Sequence, residues 1–157
     1  MQTKNTIQVS LPKNLVVELY TCHEHLPSWS PGFLSFTILN DGTETSPPTY
    51  RQRYVAMGRE IEEVLTLIEN TLPDGFTTVS DNGGKLRRVS QFKFEKRGEN
   101  TTQITVRNTF KGEYSVHLIE EDLQAYTQNF LERFKEFAEN RIDETNGYST
   151  KAPSDTK

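Results

Sequence analysis

The chain has 157 residues with a formal net charge of −4, 33% hydrophobic and 25% charged residues, nine Phe, six Tyr and one Cys. One domain of this length buries about two-thirds of the surface its unfolded chain exposes, so it stands without disulfides or metals. The acidic balance argues against a nucleic-acid binder gripping phosphates and against an anionic membrane as partner, and a lone Cys22 makes no intrachain disulfide.

The opening MQTKNTIQVSLP lacks an apolar signal core, and no run approaches a membrane span. The expectation is therefore a cytoplasmic domain without membrane insertion. Ile7, Val9 and Leu11 alternate with polar residues, which predicts a first strand over Thr6 to Leu11. Pro12 suits a helix's first turn, and Leu15, Val16, Leu19 and Tyr20 follow at helical spacing. Pro27 and the pair Pro31-Gly32 then break the chain on either side of Trp29.

Phe33 to Leu39 reads as a second strand with Leu34, Phe36 and Ile38 on one face, followed by the loop Asn40 to Pro48. In Tyr50 to Met57, Tyr50, Gln52 and Tyr54 face one way and Arg51 and Arg53 the other. Arg59 to Asn70 forms a longer strand whose Glu60 and Glu62 alternate with Ile61, giving it a wet side. Pro73-Asp74-Gly75 turns the chain into a strand over Phe76 to Ser80, and Asp81 to Gly84 reads as a hairpin turn. Leu86 to Lys96 carries Phe92 and Phe94 on one face. After the turn Arg97 to Asn100, Thr102 to Phe110 turns Ile104, Val106 and Phe110 inward and Gln103, Thr105 and Arg107 outward. The last six of the seven strands are separated only by turns and loops, which predicts a meander and not a parallel sheet.

From Asp122 to Ile142, Leu123, Tyr126, Phe130, Phe134, Phe137, Ala138 and Ile142 make one helical stripe. Glu132, Arg133, Lys135, Glu136 and Glu139 make the opposite side. Only the inner face of the sheet offers a partner for that stripe. The single domain is expected to span residues 1–143. The tail from Glu144 to Lys157 has almost nothing apolar and is expected to be disordered.

The segment Leu11-Pro12 to Tyr20 leading into LPSWSPGF (Leu26 to Phe33) carries a family resemblance. So does the run IENTLPDGF (Ile68 to Phe76) through SQFKFEKRGENTTQITV (Ser90 to Val106). Their order resembles the SRPBCC superfamily of START-like and Bet v 1-like helix-grip proteins, in its polyketide cyclase/dehydrase-like branch. The resemblance covers nearly the whole chain up to the tail. It implies an α+β helix-grip fold: a seven-stranded curved antiparallel sheet around a long C-terminal helix, with two short helices between strands 1 and 2. It also implies a bacterial protein of this type. Two segments depart from the pattern. Asn40 to Tyr50 lacks the Gly-rich strand of the branch that activates a chaperone ATPase. Gly112 to Glu121 is longer and more apolar than a plain connector, and its Tyr114, Val116, Leu118 and Ile119 either cap a pocket mouth, make a homodimer contact or form an ordinary packed loop.

Chemistry-bearing residues are sparse. His23 and His25, two apart on a helix, point to nearly opposite sides and cannot share an ion there, so no metal is expected. Cys22 has no positioned base and reads as a small core residue. Trp29 reads as packing where the short helices meet the sheet, with direct ligand contact as the other possibility. Arg87, Lys93 and Arg107 form an outward basic cluster balanced by the acidic strand at Glu60 to Glu63.

Strand parity places Gln52, Tyr54, Arg88, Ser90 and Asn108 on the concave face, where unpaired polar groups point to water or a ligand. The alternative is that they lie near strand ends and touch solvent. Phe36, Phe92, Phe94, Tyr126, Phe130 and Phe134 would form the walls for a small apolar ligand, and Tyr54 and Arg88 would orient a carbonyl or carboxylate. A carrier or sensor of a lipid-like or polyketide-like molecule leads. A polyketide cyclase-type enzyme using Arg88 and Tyr54 follows, and an interaction module with a filled core comes third. No cofactor is called for.

Overall fold

The computed structural model describes residues 1–81 and 85–148, with side chains of the last helix described through Arg141. All but the first residue of the expected turn at Asp81 to Gly84, the Ile142 side chain that ends the stripe and the tail beyond residue 148 lie outside what is described. Seven strands form one antiparallel sheet: β1 (Gln2–Val9), β2 (Phe33–Asn40), β3 (Thr49–Ala56), β4 (Arg59–Asn70), β5 (Gly75–Asp81), β6 (Arg87–Gly98) and β7 (Thr101–Lys111). Their spatial order is β1-β7-β6-β5-β4-β3-β2. From β2 to β7 each strand lies beside the next in sequence, as the turn signals predict, and β1 closes on β7.

Between β1 and β2 stand α1 (Lys13–Thr21), a 3-10 turn at His23–His25 and α2 (Leu26–Trp29). Pro12 sits just ahead of α1 as its cap residue, with Val16 N–H bonded to its carbonyl at 3.0 Å. The break after Trp29 depends on Gly32, whose φ is +65°. A Cβ there would stand 2.1 Å from the Val55 carbonyl oxygen. The Gly32 carbonyl accepts from Val55 N–H at 2.8 Å, so the chain re-enters the sheet pressed against β3.

β2 differs from its expected pattern. A bulge between Phe33 and Ser35 leaves Phe33 opposite Tyr54 and Phe36 opposite Gln52, with Leu34 as the extra, 45% exposed residue. Leu34 therefore does not share an inner face with Phe36. Ile38 pairs with Tyr50 but is 51% exposed, beyond the cover of the helices. β4 behaves as its alternation predicts: Glu60 and Glu62 pair outside with Arg53 and Arg51, while Ile61 and Leu65 turn inward.

The last helix, α3 (Glu120–Tyr148), starts earlier and runs further than the stripe from Asp122 to Ile142. Its backbone takes in the first residues assigned to the tail. It lies along β1, tied by polar bonds at both ends of the strand. Asn5 Nδ2 donates to the Gln124 carbonyl and to Gln128 Oε1, each at 3.0 Å, and Lys135 Nζ donates to the Gln8 carbonyl at 2.8 Å. Ser10 N–H reaches Glu139 Oε2 at 2.8 Å.

Packing divides α3 in two. Leu131, Phe134 and Ala138, all 0% exposed, join Val9, Val16, Phe94 and Ile104 in a solid core between α1 and the β1-β7-β6 side of the sheet. Leu131 belongs to the stripe by its spacing from Phe134 and Ala138, although the aromatic reading passed over it. The N-terminal half, with Leu123, Tyr126 and Phe130, faces the other part of the concave surface. Among the described residues no helix is long and apolar enough to cross a membrane.

Candidate functional site

Under that N-terminal half lies a cavity of about 400 Å³. Its walls are mostly apolar: the rings of Tyr20 and Trp29 from the short helices, Phe33 and Phe36 from β2, Phe76 and Phe92 from β5 and β6, and Tyr126 and Phe130 from α3, with aliphatic Ile61, Leu65, Val106 and Leu123 between them. The rings brace one another. Trp29 meets Phe130 edge-on with centroids 4.9 Å apart, and Phe76 stacks on Phe92 at 4.4 Å.

One wall is polar, and the register builds it. Gln52 lies opposite Glu63, Ser80 opposite Arg88, and Ser90 opposite Asn108, so consecutive strands hand the network across the sheet from β3 to β7. Glu63 Oε2 accepts from Gln52 Nε2 at 2.5 Å and from Arg88 Nη2 at 3.1 Å, and its Oε1 accepts from Ser80 Oγ at 2.7 Å. Arg88 Nε donates to Ser90 Oγ at 3.0 Å, and Ser90 Oγ donates to Asn108 Oδ1 at 2.5 Å. A polar belt in a ring-lined wall is stable only when its members satisfy each other, and these do.

The protonation states follow from the packing. Burial alone would push the Glu63 carboxyl up. The Arg88 charge beside it, with hydrogen bonds from Ser80, Gln52 and Arg88, outweighs that and holds it below the ordinary carboxylate value. Burial would lower the Arg88 pKa, but Glu63 and Tyr54 raise it on balance. The Tyr54 phenol is pushed up to about 12, by burial first and then by the Glu63 charge. Tyr126, whose ring stacks with Tyr54 at 6.3 Å, is also raised, chiefly by burial. Near neutral pH the wall therefore holds an ion pair, Glu63 with Arg88, and two phenols that keep their protons. Chemically it offers hydrogen bonds to a carbonyl or hydroxyl, plus ring surface for an apolar body.

The cavity brings together Trp29, Phe36, Tyr54, Arg88, Ser90, Phe92, Asn108, Tyr126 and Phe130 from the candidate residues. Phe94 and Phe134 do not line it. At 1% and 0% exposure they fill the solid core, because α3 presses its C-terminal half onto β1 and leaves no gap there. Ser90 and Asn108 are buried and bonded to each other, not strand-end residues in solvent. Absent from the candidate residues are the wall rings Tyr20, Phe33 and Phe76, and Glu63. Grouped with Glu60 and Glu62 as an acidic strand, Glu63 has the parity of Ile61, Leu65 and Leu67, and that alternation could have placed it inside.

His23 lines the cavity and packs on Phe36 and Tyr50, at 4.3 and 5.2 Å between centroids, whereas His25 packs on Phe137 outside it. The two imidazoles face different partners. On the outer sheet face, Lys4, Lys93, Arg97 and Arg107 edge a groove of about 470 Å³ together with Glu69 and Glu95. Glu95 pairs with both Lys93 and Arg97, so the surface is mixed in sign. The Gly112 to Glu121 segment forms a 3-10 turn at Glu113–His117 and is not a packed loop: Val116 is 77% and Ile119 56% exposed.

No family model matches the chain, and no curated protein sequence matches it. Solved structures do resemble it. The Zhui aromatase/cyclase from Streptomyces sp. R1128 superposes with a TM-score of 0.73 at 14% identity, over 90% of this chain and 95% of that one. A START superfamily protein from Mycobacterium smegmatis gives 0.69 at 15% identity, over 91% and 97%. The Bet v 1-type allergen Ara h 8.0201 gives 0.70 at 13%, over 89% and 98%. At these identities the likeness is one of fold. The chain has the helix-grip fold, as its residue pattern implies.

Proposed function

We propose that the protein binds a small hydrophobic molecule, lipid-like or polyketide-like, between the sheet and α3, as a carrier or sensor in the cytoplasm. The observation that carries this reading is the cavity of about 400 Å³, lined mainly by rings and aliphatic side chains with a polar belt along one wall. Phe92, Tyr126 and Phe130 would hold the apolar body, and Tyr54 and Arg88 would set the orientation of its polar end. Native mass spectrometry of protein purified from its host is the direct test, and it should show a retained small molecule. Phe130→Trp, which adds bulk on the wall, should reduce uptake more than stability. A folded variant with unaltered uptake, together with a wild-type protein that retains nothing, would end the case.

A second reading is a cyclase- or dehydratase-type enzyme. It draws on the donors that Arg88 and Tyr54 turn toward the same space, which could polarise a bound polyketone's carbonyls. Tyr54→Phe and Arg88→Ala should then abolish turnover while leaving binding largely intact. Parallel loss of both favours binding alone. The interaction-module reading depends on a core filled by its own side chains, and the cavity speaks for the other two.

A further inference from the structure

The polar wall bears on what kind of guest the cavity takes. A lone arginine in such a place would favour a carboxylate. Here Glu63, 9% exposed, already occupies Arg88, and both of its oxygens accept bonds from within the wall. Arg88 keeps 23% of its side chain accessible and has more N–H groups than the ones given to Glu63, Ser90 and Tyr54. The belt therefore still donates hydrogen bonds but carries no net charge. The other ionisable groups on the wall leave that balance unchanged: Arg53 is paired with Glu60, and burial shifts His23 toward its neutral form. An acid entering this space would lose its water, gain attraction to Arg88 and meet repulsion from Glu63 at a similar distance. A ketone or phenol of the same shape loses far less and finds the same donors.

We infer that the cavity selects an uncharged guest bearing a carbonyl or hydroxyl over the carboxylate of matching shape, and that Glu63 enforces this by neutralising Arg88. The inference rests on the ligand-binding reading above and narrows its ligand class.

Calorimetric titration at neutral pH with 2-naphthol and 2-naphthoate tests it, since the two share a ring system and differ in charge. In the wild type, naphthol should bind at least tenfold tighter, about 1.4 kcal/mol. Naphthoate binding as tightly or tighter overturns the inference. Any apolar hollow prefers the neutral probe to some degree, so the variant is decisive. Glu63→Gln, which leaves Arg88 unneutralised, should improve naphthoate binding at least tenfold and change naphthol binding less than threefold. A preference untouched by Glu63→Gln overturns the role given to Glu63.

Should that variant fail to fold, Glu63→Gln with Arg88→Met removes both charges together. Its naphthol-to-naphthoate ratio should stay within threefold of wild type, because the pair acts as a neutral unit, and a larger change overturns the inference. Binding of neither probe to the wild type has a different meaning: it removes the ligand-binding reading itself, and the selectivity with it.

Discussion

Glu63 carries its charge into a largely apolar cavity beside Arg88, and its carboxyl is held below the ordinary value despite its burial. The pH consequence has a definite sign. A carboxyl whose folded pKa is depressed contributes stability that is present above the unfolded value, 4.5, and lost as pH falls through the folded one. Chemical denaturation from pH 7 downward should show stability declining below about 4.5, and Glu63→Gln should flatten that acid limb. Tyr54 acts at the other end. Its phenol is raised from 10.0 to about 12, so its contribution is whole below 10 and fades as pH rises toward 12. Tyr54→Phe should make that alkaline decline shallower, leaving the part due to the buried phenols of Tyr126 and Tyr20. At this scale the sequence was half legible. Parity alone put Tyr54, Arg88, Ser90 and Asn108 on one face. It could not show that Glu63 sits against Arg88, because that contact joins β4 to β6 across an intervening strand.

At the scale of elements, α3 is a helix with two different jobs along one stripe. Phe134 is sealed between Tyr20 and Trp29, with centroids 4.9 and 5.0 Å away, whereas Phe130 also faces the cavity. Phe134→Ala should cost about 3–5 kcal/mol in urea unfolding, the usual range for emptying a packed aromatic site. Phe130→Ala should cost less, since that ring already borders open volume, and should weaken ligand uptake more. The reverse order would place the gap under the wrong half of the helix. The stripe itself was plain from the spacing of Leu123, Tyr126, Phe130 and Phe134. Which half would be clamped down was not, because polar ties from β1 hold both halves, Asn5 at Gln124 and Gln128 and Gln8 at Lys135, and the difference lies in where Val9 and Val16 close over Leu131, Phe134 and Ala138. β2 shows a similar limit. Its bulges between Phe33 and Ser35 and between Ile38 and Asn40 break the alternation, and they also blunt an edge strand that would otherwise be a regular template for pairing.

For the whole molecule, turn chemistry made the run from β2 to β7 readable: turns and loops between consecutive strands leave little choice but a meander, whereas the closing of β1 on β7 carried no turn signal. The volume of the hollow was not readable in that way. It depends on α3 running along β1, at one border of the sheet, and not across its middle. That placement has a kinetic consequence. The clamped half of α3 shares the core with α1 and β1, so it can open only when the fold does. The half above the hollow is held by its own helical bonds, a few rings and the polar ties of Lys4 and Asn5 to Gln124 and Gln128, with open volume beneath it in place of a sealed core, so it frays first. Amide exchange should therefore be faster over residues 123–130 than over residues 131–138, and a bound guest should slow the first set and leave the second alone. Equal protection in both would mean the helix moves as one piece. With unequal protection, the doorway is a hinge of a few turns, and traffic through it can proceed while the rest of the protein stays shut.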